Sequence, residues 1–336
     1  MTVRNQPMIQ ATASSVENIS AIRESMAAEV RRLSVVCNLR FVMDIVLQWC
    51  VISLSIALAV WFESWVVYLL AILVIATRQH ALGVLMHDGT HYRLLTNRTA
   101  NDFVCDLLCA LPVGMLTSRY RHEHLLHHRF LNTDDDPYWR DFTADSDWHW
   151  PKSKKAAMGV FARDLFGLSN SRIGKAVFRW SPWINHFGSK KSPPPMRLGE
   201  RMRVYGFFAA LLTALFVTNG WLYFLLLWFI PLSTLTILLI RIRTIAEHIA
   251  IPNTTELNSS RHVDGNLFEH LTLSPFNINY HIDHHLFASV PYYNLPKLHT
   301  VLLKDADYQR LAHLNPSYLF GPKSVLSQVL RRESVH

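Results

Sequence analysis

The sequence predicts an all-α integral membrane protein: four transmembrane helices paired as two hairpins, with a cytoplasmic helical cap that carries three histidine boxes. Three observations predict it. Two long apolar blocks are almost free of charge. The short connections inside those blocks lack lysine and arginine. Histidines recur outside the blocks at metal-ligand spacing. Half of the residues are hydrophobic and 17% are charged, an apolar balance for a water-soluble chain. The net charge of +8 suits anionic headgroups or acidic partners. No nucleic-acid recognition motif accompanies that charge, so nucleic acid is not an expected partner.

Residues 1–35 are polar and read as an N-terminal tail, mobile and leading into a short helix. No basic start is followed by a short apolar core and a cleavage site, so no signal peptide is expected. Cys37, Cys50, Cys105 and Cys109 form no Cys-x-x-Cys pair and read as reduced thiols.

The membrane domain is expected over 36–320, with a C-terminal tail over 321–336. Ile45 to Phe62 is uncharged and about one bilayer thickness long as a helix. Glu63 and Ser64 break it, and a second apolar run begins at Trp65. The spans are placed at about 41–62 and 65–86. Val204 to Ile240 has no Asp, Glu, Lys or Arg and is too long for one crossing at ~1.5 Å per residue. Asn219-Gly220 is a turn signal near its middle, giving spans over about 203–218 and 221–241. Phe62–Ser64 and Thr218–Gly220 carry no Lys or Arg, whereas the tail, the segment from His87 to Arg203 and the chain from Arg241 onward carry them. The positive-inside rule then predicts cytoplasmic termini and a cytoplasmic active site. Asn101–Leu116 has apolar residues at helical spacing opposite Asp102 and Asp106, and reads as an interfacial helix. Ala156–Leu168 is similar but weaker. Gly188–Arg197 is a basic, proline-rich link.

The chain holds eighteen histidines. His87 and His91 sit four apart, on one face of a helix. His124, His127 and His128 form His-x-x-His-His, and His281, His284 and His285 repeat it. A lone His-x-x-x-His is more often structural than metal-binding. Three boxes together are not, because packed imidazoles without metal lack acceptors and repel once protonated. Eight ligands exceed what one ion takes from protein, so two metals are implied. An all-nitrogen set suits iron, zinc or copper.

The boxes and the phrases "RHEHLLHHRFLNTDDDPYW" and "FNINYHIDHHLFASVPYYNLP" resemble the membrane-bound fatty acid desaturases and their hydroxylase and ketolase relatives, over about residues 40–300. The resemblance implies two non-haem irons, with O2 as co-substrate. It implies a further ligand from the stretch after the fourth span, where "RIRTIAEHI" offers His248. In animal acyl-CoA members an asparagine four residues earlier holds one metal through water; here that position is Thr244.

Carboxylates in or beside the boxes, Asp88, Glu123, Glu247 and Asp283, are candidates to accept the second N–H of a metal-bound imidazole. Glu269 lies near the third box. The run Asp134–Asp136 serves that role or caps a helix at Pro137. His122 is out of register with its box, His80 reads as a packed residue or passage lining, and His262, His270 and His299 are candidates for orienting substrate. His149, His186, His313 and His336 read as incidental.

The function implied by the resemblance is O2-dependent introduction of a C=C bond into a fatty acyl or lipid-like chain. The alternative is a hydroxylase or ketolase acting on a carotenoid, alkane, sphingoid or specialised-metabolite substrate. A zinc-only hydrolase or receptor is the third reading, disfavoured by the box spacing. The chain has no His-Pro-Gly-Gly haem motif and no cysteine set for an iron–sulfur cluster. A separate ferredoxin or cytochrome b5 type donor is therefore expected, docking on a basic face around Arg119, Arg121 and Arg129.

Overall fold

Residues 13–169, 179–183 and 195–330 are described in a computed structural model. Most of the Gly188–Arg197 link lies outside these residues, as do His186 and His336. The chain is mostly helical. It divides into two units, one built from 1–35, 124–160 and 241–336, the other from 36–123 and 161–240. Among the described residues the named strands are two-residue pieces, β1 (His262–Val263) and β2 (Leu314–Asn315), which pair in parallel.

Four helices are long and apolar enough to cross a membrane: α3 (Asn38–Phe62), α4 (Trp65–Thr90), α9 (Leu198–Thr218) and α10 (Trp221–His248). In α3 the apolar residues Leu47, Leu54 and Trp61 recur every seventh position and stay exposed, as a lipid-facing stripe must. Trp61, Trp65 and Trp221 cluster at the helix ends, where amphipathic rings favour a membrane–water interface. Helix α3 stops at Glu63 and α9 at Asn219, both left-handed. Asparagine tolerates that conformation because its short side chain bonds locally.

Within this unit Ala59, Ala71, Ile75 and Leu227 form one buried cluster. The small Ala59 and Ala71 let helix backbones approach closely. Helix α10 is irregular: Leu225–Phe229 is a π turn, and Thr234 leaves helical geometry after Pro231. The freed carbonyl of Trp228 accepts from Gln79 Nε2 at 2.9 Å, and Thr236 donates to Gln79 Oε1 at 2.8 Å. A polar side chain in α4 thus satisfies the break, as an apolar surround demands.

The segment expected as one interfacial helix is composite. Helix α5 (Arg98–Cys105), capped by Asn97, runs into a π turn at Asp106–Ala110 and a 3-10 turn at Leu111–Val113. Gly114 is left-handed, and α6 (Thr117–Phe130) leaves at 90°. By length and composition this bent pair also passes as one span, giving four or five candidates.

The other unit differs from the mobile-tail expectation. The N-terminal segment forms α1 (Ala13–Ser25) and α2 (Ala27–Leu33). Ile19, Ile22 and Leu33 are buried with Ile282, Leu286, Leu298 and Tyr308. Asn294 donates to the Leu33 carbonyl at 2.8 Å, and Arg23 pairs with Glu256. The polar appearance hid a few apolar residues at helical spacing, enough for one buried stripe. The unit also holds α7 (Pro137–Ala144), α11 (Leu267–Thr272), α12 (His281–Leu286), α13 (Leu295–Leu302) and α14 (Ala306–Leu311). Helix α8 (Lys154–Leu165) covers most of the weaker amphipathic segment.

Candidate metal centre

Seven of the singled-out imidazoles meet in the unit that carries α12. His124, His127 and His128 come from α6, His248 from the last turn of α10, and His281, His284 and His285 from α12. Their Nε2 atoms converge. His248 and His281 are 2.8 Å apart, His281 and His285 3.1 Å, His124 and His128 3.0 Å, and His128 and His284 3.1 Å. A neutral imidazole has one N–H and one lone pair. A single ring proton therefore cannot serve both neighbours of His281 or of His128. Two metal–nitrogen bonds of about 2.1 Å at right angles would set neighbouring nitrogens about 2.9–3.0 Å apart. The spacing thus fits ions between the rings.

His127 makes the same point. Its Nδ1 meets Asp136 Oδ2 at 2.9 Å, while its buried Nε2 has no hydrogen-bond partner. His127 groups with His248 and His285, one ligand nitrogen of each within 4.8 Å of the others. Burial, and then the neighbouring His128, His281, His127 and His248 rings, push His285 well below the ordinary histidine range. A ring held neutral is the ligating form. The donor set fits iron or another nitrogen-preferring transition ion.

His87 lies in the last turn of α4 and His91 just beyond it, in the other unit, with ring centroids 5.5 Å apart. Burial, with Arg93 and Arg121 nearby, lowers His91 to about 3, so it too is neutral.

The carboxylates sort by what they touch. Glu247 lies 3.5 Å from His281 Nδ1, groups with His248 and His281, and accepts from Arg243 Nε at 2.6 Å. Asp88 is 3.7 Å from His87 Nδ1. Glu123 instead accepts from Trp180 Nε1 at 2.9 Å and sits 3.8 Å from Arg179. Asp283 faces away from the imidazole cluster, accepting from the Tyr308 hydroxyl and meeting His299 Nδ1 at 2.8 Å. Glu269 caps α11 and accepts from Ser317 and Leu319.

Asp136 joins both roles considered for the aspartate run. It accepts from the Asn132 and Tyr138 backbone N–H groups, capping α7, while its Oδ2 faces His127. The capping signal was in the sequence, as Asp before Pro137. The contact with His127 depends on a loop geometry that spacing does not encode.

His299 stacks on His262 with centroids 4.1 Å apart, and His262 Nε2 lies 3.0 Å from Asp264. His80 is buried, His122 half-buried, and His270 meets Ser274. Arg119 and Arg121 do not offer the docking face expected of them: both are buried, Arg121 against Asp102 at 3.0 Å, and Arg129 alone of the three is exposed.

The fatty acid desaturase family model matches residues 63–317. The chain is 27% identical over 280 residues to dihydrorhizobitoxine desaturase of Bradyrhizobium elkanii, covering 80% of this chain and 78% of that one. It is 24% identical over 280 residues to acyl-lipid (9-3)-desaturase of Physcomitrium patens, covering 78% and 52%. It is 26% identical over 257 residues to sn-1 oleoyl-lipid 12-desaturase of Anabaena variabilis, covering 72% and 69%.

Proposed function

The chain belongs to the fatty acid desaturase family, and from that premise we propose that it introduces a C=C bond into a fatty acyl or lipid-like chain at a two-iron centre, using O2. The family makes it an oxidoreductase and implies lipid substrates and an electron donor. One observation carries the finer reading: six imidazoles of one unit present ring nitrogens 2.8–3.1 Å apart, a spacing that suits metal bonds better than hydrogen bonds, and His127 groups with two of them. His124, His127, His128, His248, His281, His284 and His285 are proposed as ligands. His87 and His91 complete the proposed set on the strength of their spacing.

Bound iron would supply the oxidising power, drawing on O2 and two electrons from a separate ferredoxin or cytochrome b5 type donor. In balance, the substrate loses two hydrogens, and O2 with two electrons and two protons leaves as two waters. The protein's residues do the rest. Asp136 accepts from His127 Nδ1–H and Glu247 faces that of His281, fixing which nitrogen points inward. Arg243 keeps Glu247 paired. Burial, the largest cause in each case, holds His91 and His285 well below the ordinary histidine value, and so neutral. Both termini and the centre are proposed to lie on the cytoplasmic side, from the lysine and arginine distribution.

The test is product analysis by mass spectrometry. Purified, iron-loaded protein receives a ferredoxin system, mixed acyl lipids and dihydrorhizobitoxine, the substrate that one relative's name gives. A product two mass units lighter is expected, and it should vanish in His284→Ala. A product one oxygen heavier, again dependent on His284, would replace this reading with hydroxylation.

A further inference from the structure

Two helices that carry proposed ligands end in the same unusual way. Helix α4 ends with His87 in its last turn and His91 at its cap, and the chain then turns left-handed at Tyr92 (φ 58°). Helix α10 ends at His248, and the chain turns left-handed at Ala250 (φ 54°). Glycine is the usual residue for such a turn, because a Cβ is crowded there. Neither helix has one. Helix ends also leave their last four carbonyls without an intrahelical partner, so they fray unless other groups bind them.

At the end of α4 the Tyr92 N–H meets the Gly89 carbonyl and the Arg93 N–H that of Asp88, both at 3.1 Å, and Asn101 Nδ2 also donates to the Gly89 carbonyl; at the end of α10 the Ile249 N–H meets the Ile245 carbonyl at 3.1 Å. In each case a buried arginine from a later segment binds further along the same turn. Arg261 NH1 donates to the carbonyls of Ile245 at 3.3 Å and Ala246 at 2.7 Å; NH2 donates to those of Ile249 and Ala250, both at 3.2 Å. One guanidinium thus grips the last turn and the left-handed residue together. In the other unit Arg121 Nε donates to the Thr90 carbonyl at 2.8 Å and NH2 to that of Gly89 at 3.0 Å. Its guanidinium also lies over the Tyr92 ring, 4.0 Å from the centroid, and pairs with Asp102. Burial lowers Arg261 to about 10, which leaves it charged at neutral pH. A cation at a helix C-terminus also complements the helix dipole.

We propose that Arg121 and Arg261 are positioning residues for the metal centre: each locks a helix end that glycine does not terminate, so that His87, His91 and His248 are set before metal arrives. Arg261 occupies four carbonyls with one planar fork, which an ammonium cannot match. The inference rests on the metal-binding reading above, and its test is kept separate from catalysis.

The experiment titrates metal-free, detergent-solubilised protein with Co(II) and follows the absorption of the bound ion. Arg261→Lys is expected to weaken Co(II) binding about 10–100-fold, the usual effect of removing a group that orients a ligand. Adding Ala250→Gly should restore part of that loss, because glycine takes the left-handed turn unaided. A purely packing role for Arg261 would gain nothing from that second change. Unchanged Co(II) affinity in Arg261→Lys, or no restoration by Ala250→Gly, overturns the proposal. If Arg261→Lys does not fold, Arg121→Lys with and without Tyr92→Gly carries the same test, since Asp102 remains to pair the ammonium. A wild-type protein that binds no Co(II) would remove the metal-centre reading itself, a result distinct from a wild type that binds while the variants are unaffected.

Discussion

At the scale of single residues, Asp136 separates two roles that usually confuse mutational data. Asparagine caps helices about as well as aspartate. Asp136→Asn should therefore keep the cap on α7 through the Tyr138 N–H, yet remove the oxygen that faces both His127 and the Asn132 N–H, with a stability loss of about 1–3 kcal/mol for the donor left unpaired. Iron per chain, measured by mass spectrometry after dialysis against a competing chelator, is expected to fall with an affinity loss of about 10–100-fold. Full iron retention would mean that the His127 contact is incidental. The histidines also set a pH response. Burial, the largest cause in each case, holds His285, His270 and His313 below the ordinary value. The unfolded chain then takes up protons first, near pH 6.5, while the folded chain resists them. The folded state is thus unaffected above about pH 6.5 and loses stability as the pH falls below it. The thermal midpoint of metal-free protein should drop between pH 7 and 5.5; a flat midpoint would contradict the assigned directions. Spacing placed His124, His127 and His128 on one helical face because i, i+3 and i+4 are fixed by helix geometry. Which carboxylate meets which ring was not legible, since Asp283 and Glu123 turn to Tyr308, His299 and Trp180 through contacts distant in sequence.

At the scale of elements, the helix that bears the first box depends on one small residue. A Cβ at Gly89 would run into the sulfur of Cys105 on α5 and crowd Leu94. Gly89→Ala is expected to destabilise by about 1–3 kcal/mol through overpacking. Cys105→Ala, which removes the obstructing sulfur, should recover much of it, as a double-mutant cycle in thermal midpoint would show. The four long apolar helices were legible because uncharged runs of bilayer length have few other meanings. The irregular pieces were not. The π turn at Leu225–Phe229, the break at Thr234 and the bend after Gly114 are held by Gln79, Thr236 and Trp180, whose backbone carbonyl accepts from Leu116 N–H at 2.8 Å. Local pattern contains no record of those partners. Nor did it show α1 and α2 as core, because a stripe as narrow as Ile19, Ile22 and Leu33 is swamped by polar neighbours.

At the scale of the whole molecule, the proposed orientation is testable without any substrate. With Cys37 and Cys50 replaced by serine, Ser64→Cys and Thr218→Cys should react with an impermeant maleimide in intact cells. Lys304→Cys should react only after permeabilisation. The reverse pattern would invert the topology. Burial of Arg119 and Arg121 also redirects the search for the donor surface toward exposed cations such as Arg129. The packing of α1 and α2 against α12 and α13 bears on how the protein is born. Leu33 is bonded to Asn294, 261 positions further along. At about 5–20 residues per second, that partner leaves the ribosome roughly 13–50 s later. For most of that interval Ile19, Ile22 and Leu33 lack the buried partners that α12 and α13 supply. A nascent chain halted before the third histidine box would keep this apolar stripe uncovered, a lasting signal by which chaperones and proteases can tell an unfinished chain from a complete one.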